Sequence, residues 1–167
     1  MNRLIKIRRW LLLTGAVILL PSSAIPQSAT ISVIRFGDLE KMLHNRNDTT
    51  YVINFWATWC APCIKEIPHF LEVEQEMKGQ KLRMILISLD NPADLQTKVI
   101  PFVQRRIIGV PVYLLDESNY NLWMPKVYQT WSGAIPATLI YKKNKRRFYE
   151  KPLSKEELIK AINQVNK

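Results

Sequence analysis

The stretch Tyr51-Val-Ile-Asn-Phe-Trp56, followed after two residues by Trp59-Cys60-Ala61-Pro62-Cys63, decides the fold of this chain. An unbroken apolar and aromatic run predicts a buried central strand. The two cysteines, the only ones in 167 residues, then fall at a strand-to-helix junction. At that spacing one sulfur reaches the other without unwinding the backbone. A helix N-terminus behind Cys60 favours a thiolate there, through unpaired N–H groups and the helix dipole. A structural bridge stabilises most when it closes a long loop. A gap of two residues constrains almost nothing, so the spacing points to reversible redox chemistry.

The first 24 residues stand apart. Arg3, Lys6, Arg8 and Arg9 precede the apolar run Trp10 to Leu20, and Pro21-Ser-Ser-Ala24 supplies small residues, with Ser22 and Ala24 at the −3 and −1 positions of a cleavage site. These are the zones of a secretory signal peptide. The run is shorter than the roughly 20 residues of a spanning helix; an uncleaved anchor is the alternative. Residues 1–24 are thus expected to be a targeting segment and 25–167 one domain, exported to the periplasm. Cleavage removes four basic residues and no acidic one, lowering the formal net charge from +10 to +6. The densest positive cluster is Lys142-Lys143-Asn-Lys145-Arg146-Arg147. It suits an acidic lipid or nucleic acid by charge. The apolar residues on both sides favour a solvated hairpin turn, and no nucleic-acid partner is expected.

Outward from the cysteines, Thr30–Ile34 predicts a strand and Phe36–His44 a short helix. From Cys60 to about Lys78 apolar residues recur at helical spacing, and Gly79 ends that helix. Arg83–Leu89 predicts a buried strand, about Asp94 to Arg106 a helix, and Val110–Leu115 another strand. Asn119 to Ser132 is aromatic-rich and weakly periodic, so its structure stays open. Ala137–Tyr141 and Arg147–Tyr149 bracket a hairpin, and Ser154-Lys-Glu-Glu157 is a capping box that opens a helix through Val165. This order implies an α/β domain with a mixed sheet and helices on both faces.

Val52-Ile-Asn-Phe-Trp-Ala-Thr-Trp-Cys-Ala-Pro-Cys63, Pro68 and Gly133-Ala-Ile-Pro-Ala-Thr138 together resemble the thioredoxin superfamily, and within it the TlpA/ResA-like periplasmic thiol-disulfide oxidoreductases. The resemblance spans residues 30 to 165. It implies a thioredoxin-like three-layer sandwich with a TlpA-type strand–helix insertion, since Cys63 and Pro136 lie 73 residues apart. It implies Cys60 as nucleophile and Cys63, one turn into the helix, as resolving thiol. Ala61 and Pro62 shape the motif and set its geometry; Pro68 kinks the helix. Ile135–Pro136 resembles the family's cis-proline loop, which leaves Ile135 backbone groups to pair with an extended substrate. Trp59 is assigned to substrate binding with that loop. Trp56 is expected to flank the disulfide, and Trp123 or Trp131 to line a groove. Asn54 stands where thioredoxin carries a buried aspartate that moves protons. Asp90 and Glu66 are candidates to replace it, but both read better as surface or capping residues.

The implied activity is reduction of disulfides in oxidised partner proteins by a monomer fed by a membrane electron donor. A DsbA-like oxidase or isomerase stays open, because the motif allows either direction. A metal-binding or chaperone module on the same fold would use Cys60, Cys63, His44 and His69, but these histidines lack the paired spacing of a zinc site. Haem attachment needs a histidine where Ile64 stands, and the threonine-to-cysteine spacing of a peroxiredoxin is absent. No metal, nucleotide, flavin or other cofactor is expected.

Overall fold

The computed structural model describes residues 31–107 and 109–167; the targeting segment expected over 1–24 lies outside them. The strand expected from the decisive stretch is β2, Thr50–Trp56, buried at every position. A strand buried on both faces belongs in the middle of a sheet. It pairs in parallel with β3 (Leu82–Ser88) and antiparallel with β5 (Ala137–Lys142). β3 pairs with β4 (Val112–Leu115), and β4 with the three-residue edge strand β1 (Ser32–Ile34), all parallel. β6 (Lys145–Tyr149) closes the other edge as a hairpin with β5, giving the order β1-β4-β3-β2-β5-β6. The strand expected over Val110–Leu115 is therefore β4, wedged between β1 and β3.

The helices divide between the two faces as the strand alternation requires. Val52 and Trp56 of β2, with Met84 and Leu86 of β3, face a core shared with α2 (Ala61–Glu76), α3 (Ile100–Arg106) and α5 (Lys155–Asn166). Tyr51, Ile53 and Phe55, with Ile85 and Ile87, face a second core under α1 (Phe36–Leu43) and α4 (Tyr120–Val127). β2 is the wall between them. The capping box is present at the start of α5, with Ser154 accepting from the Glu157 N–H.

Two segments differ from the sequence reading, each for a local reason. The helix expected from Asp94 begins as a 3-10 turn, Pro92–Asp94, widens into one π-helical turn over Leu95–Val99 and only then becomes α3. The wide turn sits just ahead of Pro101, whose nitrogen has no hydrogen to give. The strand expected from Val110 starts at Val112, because Pro111 cannot donate to a ladder; its carbonyl instead accepts from Leu86 N–H at 3.0 Å. The open segment 119–132 contains α4, which buries Trp123 and Val127 while leaving Leu122 exposed.

Candidate redox site

β2 ends at Trp56, and the chain turns through Ala57–Trp59 into α2. Cys60 is the N-cap of that helix. It is joined to Cys63 by a disulfide with the two Cα atoms 5.3 Å apart. The Cys60 sulfur accepts the Cys63 N–H at 3.3 Å, so it occupies the place a serine or aspartate oxygen takes at other helix starts. Ala61 and Pro62 form the exposed first turn, where a missing N–H costs nothing. Cys60 is 5% exposed and Cys63 fully buried. Pro68 sits inside α2 on its exposed side, and the helix runs through it without interruption.

Two loops hold this corner. The Ile135–Pro136 peptide is cis, and the Ile135 carbonyl oxygen lies 3.7 Å from the Cys60 sulfur. The loop before it is tied down from below: Trp131 Nε1 donates to the Ala134 carbonyl at 3.0 Å, and the Glu150 carboxylate accepts from Ser132 N–H, Ala134 N–H and the Ser132 hydroxyl. On the other side, the Asp90 carboxylate accepts from the Thr58 N–H, from the Thr58 hydroxyl at 2.6 Å and from the Ser88 hydroxyl at 2.8 Å. Asp90 is buried, so it is not the surface or capping residue expected from sequence. It anchors the turn that delivers Trp59 and Cys60.

The second correction is Glu66. Expected at the surface, it is 2% exposed, because it lies three residues after Cys63 on the buried stripe of α2. Asn54 Nδ2 donates to Glu66 Oε1 at 2.8 Å and to Thr138 Oγ1 at 3.0 Å. The Leu153 N–H donates to Glu66 Oε2 at 2.9 Å. Asn54 and Thr138 are register partners on β2 and β5, so the sheet itself sets that pair opposite α2. Burial raises the Glu66 carboxyl from 4.5 to about 7, against the lowering effect of the hydrogen bonds from Leu153 and Asn54. A group that changes charge near neutrality thus stands one helical turn from Cys63. The helical spacing of Cys63, Ile67, Phe70 and Val73 contained this signal, since the same stripe passes through 66.

The tryptophans separate into two groups. Trp59 is 68% exposed and, with Tyr120, Pro92 and Asp116, lines a groove beside the disulfide. Trp56, expected to flank the disulfide, is wholly buried against Phe102. Trp123 and Trp131, expected at a groove, pack edge-to-face in the second core. Trp131 also holds the cis-proline loop, through its hydrogen bond to the Ala134 carbonyl. The His69 ring nitrogen Nδ1 meets the Leu153 carbonyl at 3.2 Å, and His44 is exposed at the C-cap of α1. Among the described residues no three His, Cys, Asp or Glu side chains gather as a metal site would require.

Strand order, cis-proline loop and a disulfide at the start of α2 define a protein of the thioredoxin superfamily. The AhpC/TSA family model matches residues 37–146, and the chain belongs to that family. It is 32% identical to the thiol-disulfide oxidoreductase ResA of Oceanobacillus iheyensis, over 68% of this chain and 50% of that protein. It is 25% identical to the sporulation thiol-disulfide oxidoreductase A of Bacillus subtilis, over 54% of this chain and 53% of that one. The chain spans about half the length of these curated relatives. Among solved structures, a thioredoxin-related protein from Neisseria meningitidis serogroup B superposes with a TM-score of 0.61 at 23% identity, covering 71% of this chain and 86% of that one. StoA from Bacillus subtilis gives 0.54 at 23% identity, covering 68% and 82%. These two likenesses establish the fold.

Proposed function

We propose that this protein is an extracytoplasmic thiol-disulfide oxidoreductase that reduces disulfides in partner proteins. The observation that carries the proposal is the position of the Cys60 sulfur, which caps α2 and faces the Ile135 carbonyl at the same time. The helix N-terminus favours the Cys60 thiolate. The cis-proline loop offers backbone to an extended chain, and Trp59 and Tyr120 offer apolar surface in the adjoining groove.

In the reduced protein, Cys60 thiolate attacks one sulfur of a substrate disulfide. A mixed disulfide forms and the substrate's other sulfur leaves as a thiolate. Cys63 then loses its proton, for which Glu66 is the positioned acceptor, and attacks the Cys60 sulfur. The second substrate sulfur leaves. Two electrons have passed to the substrate, and Cys60–Cys63 is the disulfide. A membrane-bound dithiol donor would return the couple to its reduced state. The export signal read over residues 1–24 supports a periplasmic setting for this work.

Equilibrium titration against glutathione or dithiothreitol measures the couple. A reductase requires a potential toward the thioredoxin end, about −270 mV; a value near the DsbA end, about −120 mV, replaces reduction by oxidation. A Cys63→Ser variant stalls the mixed disulfide on Cys60 and captures substrates from periplasmic extract. Capture of nothing while Cys60 remains alkylatable would overturn the exchange reaction itself.

A further inference from the structure

α2 carries two polar side chains one turn apart, Glu66 and His69, and both reach the same residue. That residue, Leu153, lies between β6 and α5, outside any helix or strand. Its N–H donates to Glu66 Oε2 at 2.9 Å, and its carbonyl oxygen lies 3.2 Å from His69 Nδ1. A carbonyl oxygen only accepts, so Nδ1 carries the hydrogen of this bond; Nε2 is the nitrogen that gains or loses a proton. The Leu153 side chain is 1% exposed and belongs to the core that holds Cys63.

The peptide unit after Leu153 moves with α5, because its Ser154 N–H donates to the Glu157 carboxylate of the capping box at 3.0 Å. His69 is what ties that unit across to α2. The other polar ties between these helices, from Lys155 to Glu72 and Glu76, lie at the surface, where an ion pair is worth little. Two carboxylates face the His69 ring: Glu66 on its own helix, and Glu156 on α5, which accepts from the Ser154 hydroxyl at 2.8 Å. Glu66 registers the arrangement. Burial lifts its carboxyl to about 7, and the bond from Leu153 is the largest influence acting the other way, followed by Asn54 and then the charge of His69.

We propose that His69 is a positioning residue for the resolving step: its Nδ1–H holds the start of α5 against α2, so that the Leu153 N–H stays aimed at Glu66. Without that hold the Leu153 N–H swings off the carboxylate, which then keeps its proton to higher pH and is a poorer acceptor near neutrality. His69 touches neither sulfur and acts only through Leu153 and Glu66. The inference rests on the proposed role of Glu66 as acceptor of the Cys63 proton.

The test compares His69→Leu, which removes the donor, with His69→Asn, which keeps an N–H near the place of Nδ1 but carries no charge. Carbon-13 NMR of the oxidised full chain follows the Glu66 carboxyl through its titration. In His69→Leu the midpoint is expected to rise from about 7 by about half a unit or more, and in His69→Asn to return most of the way. An unchanged midpoint in His69→Leu would overturn the proposal, as would an asparagine variant that behaves like the leucine one. The resolving step is read separately, by mixing reduced protein with dithionitrobenzoate. Cys60 releases the first thionitrobenzoate, and attack by Cys63 releases the second. At about pH 6 the second release is expected to slow about threefold in His69→Leu and to recover in His69→Asn; a release that ignores the shift at Glu66 overturns the assignment to this step. Glu66→Gln separates the two ideas: an undiminished second release there overturns Glu66 as acceptor, whatever His69 does to its titration.

Discussion

Glu66 shows how one side chain couples stability to chemistry. Its carboxyl titrates near 7 in the folded protein, against an ordinary value of 4.5. Between those values the unfolded chain gives up the proton while the folded chain keeps it. Stability therefore falls as pH rises from about 4.5 to about 7, and levels off above; the full difference is at most about 3 kcal/mol at 1.36 kcal/mol per unit. In a Glu66→Gln variant, studied as the oxidised protein, this component of the pH dependence is expected to vanish. Urea unfolding at pH 5 and pH 8 checks it, and an unchanged slope between the two would remove Glu66 as the source. The residue was legible in principle from α2's periodicity. What hid it is that a lone glutamate on an apolar stripe reads as an error of phase until its partners, Asn54 across 12 residues and Leu153 across 87, are brought beside it. Asp90 was hidden the same way: its partner Thr58 lies 32 residues back, on another strand's exit loop.

At the scale of the element, the loop Trp131–Pro136 is held more firmly than its sequence suggests. Gly133 has φ of +97°, a region that side chains rarely adopt. A Cβ there would also come within 3.2 Å of the Met124 Cε on α4. Gly133→Ala is expected to cost about 2 kcal/mol, from the conformation and the contact together. Thermal unfolding measures it, and a shift within about 0.5 kcal/mol of zero would mean that the loop moves aside. Glu150 on the far side of the hairpin completes the loop's hydrogen bonding. Most elements could be read from pattern because each carries its own signal: the capping box of α5, the apolar run of β2, Gly79 after α2. The π-helical turn at Leu95–Val99 could not. Pro101 announces a disturbance in the ladder, but whether the helix breaks, kinks or widens depends on what packs against it.

For the whole molecule, the mixed sheet with two helical layers followed from the alternation of elements, while the strand order did not. β4 takes its place between β1 and β3 through pairings such as Ser32 with Tyr113, 81 residues apart, and nothing local encodes a register of that kind. The order has a measurable result. β2, β3 and β5 are covered on both faces and paired on both sides, whereas β1 is three residues long and β6 is a charged edge strand. Native-state hydrogen exchange is expected to find the β2, β3 and β5 amides slower than those of β1 and β6 by about tenfold or more. Uniform exchange across all six strands would contradict a sheet that opens from its edges. Charge on β6 protects that edge, since Lys145 and Arg147 discourage a second copy from pairing with it.

The alternation along β2 has a consequence for how such a protein can change over time. Asn54 belongs to the face that meets α2 and Glu66, while Tyr51, Ile53 and Phe55 belong to the face that meets α1 and α4. Apolar exchanges of conserved volume behind the wall need only satisfy packing. Those in front must also preserve a proton's resting place. Lineages descended from this chain are free to wander on one side of a single strand and are held still on the other, one residue apart in the same gene.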